Sequence, residues 1–553
     1  MAGSYQEPSE KGKSVVSQFD KLKAIRSPLD REYRECYEYT KPFLGIGFDE
    51  GTDGDGYLNA HTAKSKQAKL LDSTATDAVR MLASSVLSSL TPPNTLWFDL
   101  ADGSRVDDDL DQESKEWLKN AAKRLHTLIH SSNYDNEAMT FVEHMVIAGI
   151  GGIYIEEKNG KLRFENWPLN HLYVQETLNL GYIDTVYRQF YYTVQEAVYE
   201  FGLNALPQKM REAYDQNPHD VTPHRFVVAI RPRIKNGKQS TGNTARNLPW
   251  ESIWVSGCGC VVRESGFHEM PVIVPRWQTI PDTDYGRGPV SDALPDIKTL
   301  NKVTETYLLN MDMHVAGMFK VKDDGVINPN TIRFGPRRFI PVSDMDNIQP
   351  LQTGGDINFA VNQIESLRSN IKQILLANRL SFDKAIQTAT EVQTRNNQVR
   401  QILGPIFARM QSEFLTHLVE RCFGLALRAG LFQPIPEGLR GREFEIDYRS
   451  PLARSQKMQE VEQVDVFMAA AAKLGEVQGA ITSPVMDLIE FDSMLRSYAE
   501  QLGIDPALVN DENAVKKLRL QRQQAQRAAA EAEQQRMAQE QAASRPQQPG
   551  LFE

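Results

Sequence analysis

The chain has 553 residues, with 62 basic against 72 acidic side chains, a net charge of −10 and an isoelectric point near 5.6. That length exceeds what one hydrophobic core can hold, so several regions are expected, and 24% charged with 41% hydrophobic residues is ordinary for a water-soluble protein. The acidic balance excludes a broad gripping surface for nucleic acid, which would be basic, and leaves room only for brief or sliding contact that neutralises few phosphates.

Residues 1–13 read as disordered, and no apolar h-region marks a secretory signal. Val15 to Tyr39 is an amphipathic helical region expected to break at Pro28 and to close at Pro42. Gly45 to Gly56 is a Gly/Asp-rich loop whose Asp49, Asp53 and Asp55 lack the glycine and bidentate Glu that a calcium loop needs. From Asp72 to Leu90, Leu71, Ala75, Ala78, Leu82, Val86 and Leu90 follow helical spacing among small residues that allow close packing. Thr91-Pro-Pro-Asn94 stops that helix, and Leu96-Trp97-Phe98 opens an extended segment. Two more helices are expected at Glu113–Ser131 and Glu137–Ala148. Gly149-Ile-Gly-Gly152 then leads into a strand at 153–155. A phosphate-binding loop would run strand, glycines, helix with a closing Lys-Ser or Lys-Thr; here the order is reversed, so a turn admitting positive φ is the better reading.

Residues 162–277 are β-rich, with strands suggested near 162–164, 172–174, 182–192, 226–230, 252–255, 260–262 and 272–274. Thr193 and Glu196 form a capping box for a short helix ending at Gly202. Lys235 to Leu248 is a polar linker, expected to be a mobile loop. Four cysteines, Cys36, Cys258, Cys260 and Cys422, argue against a disulfide framework. Cys258-Gly-Cys260 could offer two thiolates to a metal, but no second Cys or His pair has zinc-like spacing, and a tight hairpin turn explains it better. No metal and no cofactor is expected. The apolar runs near 145–155 and 466–472 are too short to span a bilayer, so no membrane segment is expected.

After Tyr285-Gly-Arg-Gly-Pro289 a helix runs from Val290 to about Met313, with Leu294, Ile297, Val303, Tyr307 and Leu308 on its apolar side. Residues 319–351 hold short extended pieces and the basic group Arg333, Arg337 and Arg338, and Asp356 to Ala377 returns as a helix. The loop 378–387 carries Arg379, Phe382, Lys384 and Gln387. A very long helix, 388–430, follows: Thr388 and Glu391 form a capping box, and Val392, Val399, Ile402, Ile406, Met410, Phe414, Leu418, Cys422 and Leu425 make one apolar stripe. It would be roughly 60 Å long at about 1.5 Å per residue, kinked at Gly404-Pro405 and ended by a left-handed Gly430 before Pro434 and Pro436. Phe444–Tyr448 reads as a strand able to return to the β-rich lobe. Helices are expected at 455–475, 486–503 and 512–542, the last rich in Gln, Ala, Arg and Glu, and 545–550 reads as disordered.

This order resembles the head-to-tail connector, or portal, proteins of short-tailed (T7-like podovirus) bacteriophages. The resemblance rests on Leu90-Thr-Pro-Pro-Asn-Thr-Leu-Trp97-Phe98, on Arg188-Gln-Phe190 followed by Phe201-Gly202, on Tyr285-Gly-Arg-Gly-Pro289, and on Thr388-Ala-Thr-Glu-Val392 with Gly404-Pro405. Taken in order these cover the chain from about residue 15 to 510. The resemblance implies a mainly helical α+β portal-type fold. It implies a wing at 14–287 (helical to 150, β-rich from 151), a stem helix out at 288–318, a clip at 319–352 and a stem helix back at 353–377. It further implies a tunnel loop at 378–387, the long helix and wing return strand at 388–451, and a crown at 452–511; the tail 512–553 lies outside it. Such proteins form homo-oligomeric rings of twelve subunits at one vertex of the virion capsid, assembled in the host bacterial cytoplasm. Their channel passes double-stranded DNA in packaging and ejection. Implied partners are the major capsid protein, scaffolding protein, the terminase large subunit, a tail adaptor and internal core proteins.

In a ring, one inward lysine becomes a belt of charge. Lys298 and Lys302 lie four apart, as do Arg368 and Lys372, so each pair shares a helical face and is a candidate to line the bore. A solvated face, or pairing with carboxylates of a neighbour, is equally open for any one of them. Arg379, Phe382, Lys384 and Gln387 are the loop candidates for the channel, where contacts to phosphates would ignore sequence. Arg333, Arg337 and Arg338 are candidates to meet an acidic partner at the clip. Two rival classes are another virion component, such as a tail adaptor or internal scaffold, and a metal-dependent hydrolase using Asp282 and Asp284 or Glu156 and Glu157. No nucleophile–base constellation or metal spacing accompanies those acids, so the enzyme reading has no catalytic residues to offer. The chain lacks a P-loop, so the packaging motor would be another protein.

Overall fold

The computed structural model describes residues 8–46, 48, 69–102, 112–235, 237–240, 242, 244, 246–316, 319–321, 348–350, 357–380, 403–439, 444–448, 493–495 and 515–527. The chain divides into two units, Met1–Ser450 and Pro451–Glu553. The described residues of the second unit, 493–495 and 515–527, are helical. Those of the first form a mainly helical α+β assembly.

In chain order the first unit begins with α1 (Glu10–Glu38), α2 (Thr74–Leu90), β1 (Phe98–Asp102), α3 (Gln112–His130) and α4 (Tyr134–Ala148). The β-rich stretch supplies β2 (Gly152–Lys158), β3 (Lys161–Trp167), β4 (Leu172–Gln175) and β5 (Thr185–Tyr192), then the short helices α5 (Val194–Phe201) and α6 (Gln208–Gln216). It continues with β6 (His224–Pro232), the two-residue β7 (Ile234–Lys235) and β8 (Lys238–Gln239), β9 (Trp250–Ser256), β10 (Val261–Phe267) and β11 (Val272–Ile273). Last come α7 (Pro289–Ala316), β12 (Phe319–Val321), β13 (Ile348–Pro350), α8 (Ile357–Ile374), the single turn α9 (Ala377–Leu380), α10 (Thr416–Arg428) and β14 (Phe444–Tyr448).

A five-stranded antiparallel sheet, ordered β10-β9-β6-β5-β4, carries the β-rich core. Side chains on a strand alternate between faces, and β6 shows it. Val227 and Ala229 meet Val15, Phe19 and Leu22 of α1 on one face. Phe226 joins Ala197 of α5 and Met210 of α6 on the other. The expected capping box at the start of α5 is present, with Thr193 accepting from the Glu196 N–H and Glu196 accepting from the Thr193 N–H.

Two expectations are corrected here. First, α1 starts at Glu10, capped by Ser9, and runs unbroken through Pro28. A proline inside a helix forfeits a backbone hydrogen bond at a cost of about 3 kcal/mol. Packing on both sides of it offsets that cost: Val15, Phe19 and Leu22 are buried before it, and Tyr33, Cys36 and Tyr37 after it. Arg26 adds a tie close to the proline, donating to the carbonyls of Leu169, Leu172 and Asn170 at 2.5, 2.8 and 3.1 Å. Second, β14 returns to β1 and not to the five-stranded sheet, with Phe98 opposite Tyr448 and Asp102 opposite Phe444. The extended segment after Pro92-Pro93 needs partners for its backbone groups, and Phe444–Tyr448 supplies them.

At the centre lies α4, whose residues Phe141 through Ala148 are all buried. A helical stretch buried on every side has to be enclosed, and α1, α2, α7 and β3 pack around α4. The two polar residues of this buried stretch are satisfied in place. Glu143 pairs with Lys41, and His144 Nδ1 lies 2.6 Å from the Tyr37 hydroxyl. Burial, with the nearby Lys41 charge, pushes His144 down to about 4, so it is neutral near pH 7.

Candidate functional site

The helical pair α7–α8 is entered through Tyr285-Gly-Arg-Gly-Pro289, and that motif crosses the end of α4. Gly149 ends α4 with φ of 76°, its N–H bonded to the Met145 carbonyl at 2.9 Å. The crossing is tight: a Cβ on Gly286 would lie 2.2 Å from the Gly149 oxygen, and one on Gly288 2.6 Å from the Val146 oxygen. Trp277 N–H donates to the Gly149 carbonyl and Arg287 N–H to that of Gln278, both at 2.8 Å. Tyr33 donates its hydroxyl proton to the Gly286 carbonyl at 2.7 Å, and the buried Tyr285 hydroxyl accepts from Val174 N–H at 3.3 Å. The two glycine-rich stretches of the sequence are therefore two sides of one backbone crossing.

Beyond the crossing, α7 and α8 pack on each other and on the α2 region. Near its start α7 buries Val290, Ala293, Leu294, Ile297, Leu300 and Thr304, and α8 buries Ile364, Leu367 and Ile371. Two ionic clasps hold this root. Lys298 Nζ meets Glu35 Oε2 at 3.1 Å, and Arg368 Nε and Nη2 reach Asp72 Oδ2 at 2.9 and 2.8 Å. Asn301 adds hydrogen bonds to the Leu71 N–H and the Lys69 carbonyl. Burial alone would raise Asp72, but hydrogen bonds from Thr74 and the Arg368 guanidinium hold its carboxyl below the usual carboxylate range. Glu35 is likewise lowered: burial opposes the shift, and the Lys298 and Arg31 hydrogen bonds and charges overcome it.

Towards the end that leads into the antiparallel pair β12–β13, the packing stops. Leu308 is 45% and Leu309 54% exposed on α7, and Phe359 is 69% and Val361 45% exposed on α8. Leu308 was expected on the buried side together with Val303 and Tyr307. The buried face instead runs through Thr304, leaving Val303 and Tyr307 half-buried and Leu308 exposed. Among the described residues, the polar partners Lys69, Leu71, Asp72 and Glu35 meet the pair at Asn301, Arg368 and Lys298.

The structure separates the sequence candidates. Lys298 and Arg368 sit in the clasps to Glu35 and Asp72. Lys302 is exposed and pairs with Glu305 on its own helix at 2.8 Å. Lys372 is exposed on α8 and makes no ion pair among the described residues. Arg379 belongs to α9; its side chain lies outside the described residues, as do Phe382, Lys384, Gln387, Arg333, Arg337 and Arg338. Neither Glu35 nor Asp72 was singled out in the sequence, because a lone acid gives no sign of a partner 263 or 296 positions away.

A further helical stretch packs on α3, β2 and β3. Residues 403–410 are α-helical, Gln411–Leu415 form a π turn and α10 continues to Arg428. The described irregularity is thus at 411–415, where Thr416 N–H reaches the Gln411 carbonyl; the residues before Leu403, including the Thr388–Glu391 box, lie outside the described ones. The extra residue of a π turn lets two neighbours face inward together. Phe414 meets the Phe141 ring at 4.9 Å, and Glu413 accepts from the Arg276 backbone and side chain at 3.0, 3.1 and 3.2 Å. The helix ends as expected, with Gly430 at φ 66° and the Gly430 and Leu431 N–H groups bonded to the Leu427 and Ala426 carbonyls.

Two of the candidate acids, Glu156 and Glu157, have partners of their own. Glu156 pairs with Arg163, and Glu157 accepts from the Gly160 N–H in the β2–β3 turn. Asp282 takes a left-handed φ of 60° in the loop before Tyr285. Asp284 is raised, mainly by burial. Among the described residues no group of three or more His, Cys, Asp or Glu side chains could hold a metal, and no helix is long and apolar enough to cross a membrane.

A family model for bacteriophage head to tail connecting proteins matches residues 13–509. The chain is 25% identical over 544 residues to a probable portal protein of Bordetella phage BPP-1, covering 94% of this chain and 92% of that protein. It is 23% identical over 540 residues to a portal protein of Salmonella phage epsilon15, covering 93% and 92%.

Proposed function

The chain belongs to the family of bacteriophage head to tail connecting proteins, and from that premise we propose that it is the subunit of a portal ring. Its role is structural: a ring at one capsid vertex through which double-stranded DNA enters during packaging and leaves during ejection. Residues 14–287 and 388–451 form the wing, α7 and α8 the stem, 319–352 the clip, 378–387 the tunnel loop and 452–511 the crown. The ring has twelve copies and meets the major capsid protein, scaffolding protein, terminase, a tail adaptor and internal core proteins. ATP hydrolysis belongs to the terminase motor, and this chain contributes no catalytic step.

The observation that carries this reading is the division of α7–α8 into a clasped root and an apolar tip. Leu308, Leu309, Phe359 and Val361 are large apolar residues left open on two adjoining helices, and patches of this kind mark interaction surfaces. A neighbouring copy covers them in a head-to-tail contact, which closes into a ring when its rotation permits. The net charge of −10 suits a bore that lets DNA slide, since few phosphates are neutralised.

Electron microscopy of the purified full chain tests it: closed rings with an open bore are expected, and filaments or monomers overturn the reading. Deleting 378–387 should leave rings intact while impairing DNA packaging or retention; unchanged packaging would remove the tunnel-loop assignment.

A further inference from the structure

The turn joining β9 to β10 holds two thiols together. The Ser256 carbonyl accepts from Gly259 N–H at 2.9 Å, the Ser256 N–H donates to the Cys260 carbonyl at 2.9 Å, and Gly259 takes φ of 85°. This is a three-residue hairpin loop closed by a left-handed glycine. It folds Cys258 back towards Cys260, so that their sulfurs lie 3.0 Å apart, with Ser256 Oγ 3.0 Å from Cys258 Sγ. Cys258 is exposed and Cys260 buried, an arrangement of one accessible sulfur with a second directly behind it. The turn is seated against the first turn of α1: a Cβ on Gly12 would lie 2.1 Å from the Gly259 oxygen. An open groove beside it is lined by Lys13, Ser17, Asp20 and Lys21 of α1 together with Cys258.

We propose that Cys258 and Cys260 form a reversible dithiol–disulfide site oxidised by small anionic disulfides of the glutathione class. Cys258, as thiolate, attacks one sulfur of the small disulfide and expels the other half as a thiolate. Cys260 then gives its proton to solvent, attacks the Cys258 sulfur and expels the second half. The protein loses two electrons and two protons, and the reagent gains them as two thiols. The sulfurs need to close by about 1 Å to reach bonding distance. Burial would raise the Cys258 thiol, but hydrogen bonds from Cys260, Ser256 and the turn backbone bring it below the ordinary thiol value, which favours its role as the attacking sulfur. A ring spanning one intervening residue is strained, so the bond is readily reduced again, as expected of labile rather than structural disulfides. Two lysines against one aspartate in the groove favour a reagent bearing carboxylates.

Oxidised glutathione is added to the full chain at mildly alkaline pH, followed by alkylation, intact mass measurement and peptide mapping. Loss of two hydrogens mapped to the peptide holding Cys258 and Cys260, reversed by dithiothreitol, is expected. Cys260→Ser should instead stop at a glutathione adduct on Cys258, and Cys258→Ser should give neither product. A persistent adduct on the parent chain, no reaction at either cysteine, or a bond involving Cys36 or Cys422 overturns the proposal. Comparison with a neutral small disulfide of similar potential tests the reagent class: several-fold faster reaction with glutathione is expected, abolished in Lys13→Ala/Lys21→Ala, and equal rates on the parent chain refute the anionic preference.

Discussion

Arg276 and Glu413, 137 positions apart, form an ion pair in which both side chains are only 6% exposed. Arg276 leads out of the three-stranded sheet β11-β2-β3, and Glu413 sits in the middle of the π turn, so the pair ties the helical stretch 403–428 to the β-rich part. Arg276 also donates to the Gly181 carbonyl at 2.8 Å, and Arg409 approaches Glu413 at 3.6 Å. Two buried charges are tolerable when they are paired and hydrogen-bonded; here Nε and Nη2 of Arg276 and both oxygens of Glu413 are engaged.

Removing one partner of such a pair strands the other charge. Glu413→Gln should destabilise the first unit by about 3 kcal/mol, read as a shift of the denaturant midpoint with unchanged slope. A shift below about 1 kcal/mol would contradict a closed Arg276–Glu413 pair. The double change Arg276→Met with Glu413→Leu should recover much of the loss, because it leaves no uncompensated charge.

The Arg368–Asp72 clasp fixes α8 to the residues just before α2. Arg368 is 40% exposed and Asp72 5%, so solvent screens part of the attraction and the expected cost of Arg368→Ala is about 1 kcal/mol. Because the Asp72 carboxyl is lowered when folded, its contribution is present above the unfolded carboxylate range and fades as pH falls through the folded value. The difference between parent and variant should therefore shrink in acid. A difference that grows below pH 4 would rule the clasp out.

Leu309→Glu and Phe359→Glu place charges on the apolar tip. Each should leave the thermal midpoint of the separate chain within a few degrees while shifting sedimentation velocity profiles from rings to monomers. Rings that survive both substitutions would show that the tip is not the contact between copies.

His144 and His171 are both pushed down to about 4, by burial first and then by nearby cations. The unfolded chain binds a proton at each near pH 6.5, so their contribution is intact above that value and is lost as pH falls towards 4. At pH 5 the loss is about 2 kcal/mol for His144. His144→Asn should flatten the stability profile between pH 6.5 and 5 by about 2 kcal/mol; an unchanged slope would mean that the histidine is solvated.

Much of the architecture was written locally. The Thr193–Glu196 box, the Gly430 cap, the Cys258 turn and the stripe of α2 depend on residues three or four apart, and the structure has all of them. The α2 stripe holds from Ala75 to Leu90, whereas Leu71, placed before the helix, is 36% exposed. The break expected at Pro28 was also a local inference, and it failed because packing beyond the reach of helical spacing outweighs one lost hydrogen bond.

The sequence by itself determined much of the order of elements among the described residues, the out-and-back helices α7 and α8 and the family resemblance, since these rest on short-range periodicity and on motifs read in succession. Only the tertiary structure decided which charges are engaged. Lys298 and Lys302 look alike on a helical face, yet one reaches Glu35 and the other Glu305 on its own helix. Nor does a stripe of apolar residues reveal where its support ends, at Thr304 rather than Leu308. Pairings across 137 to 296 positions depend on how the chain folds back on itself, and no local pattern carries that information.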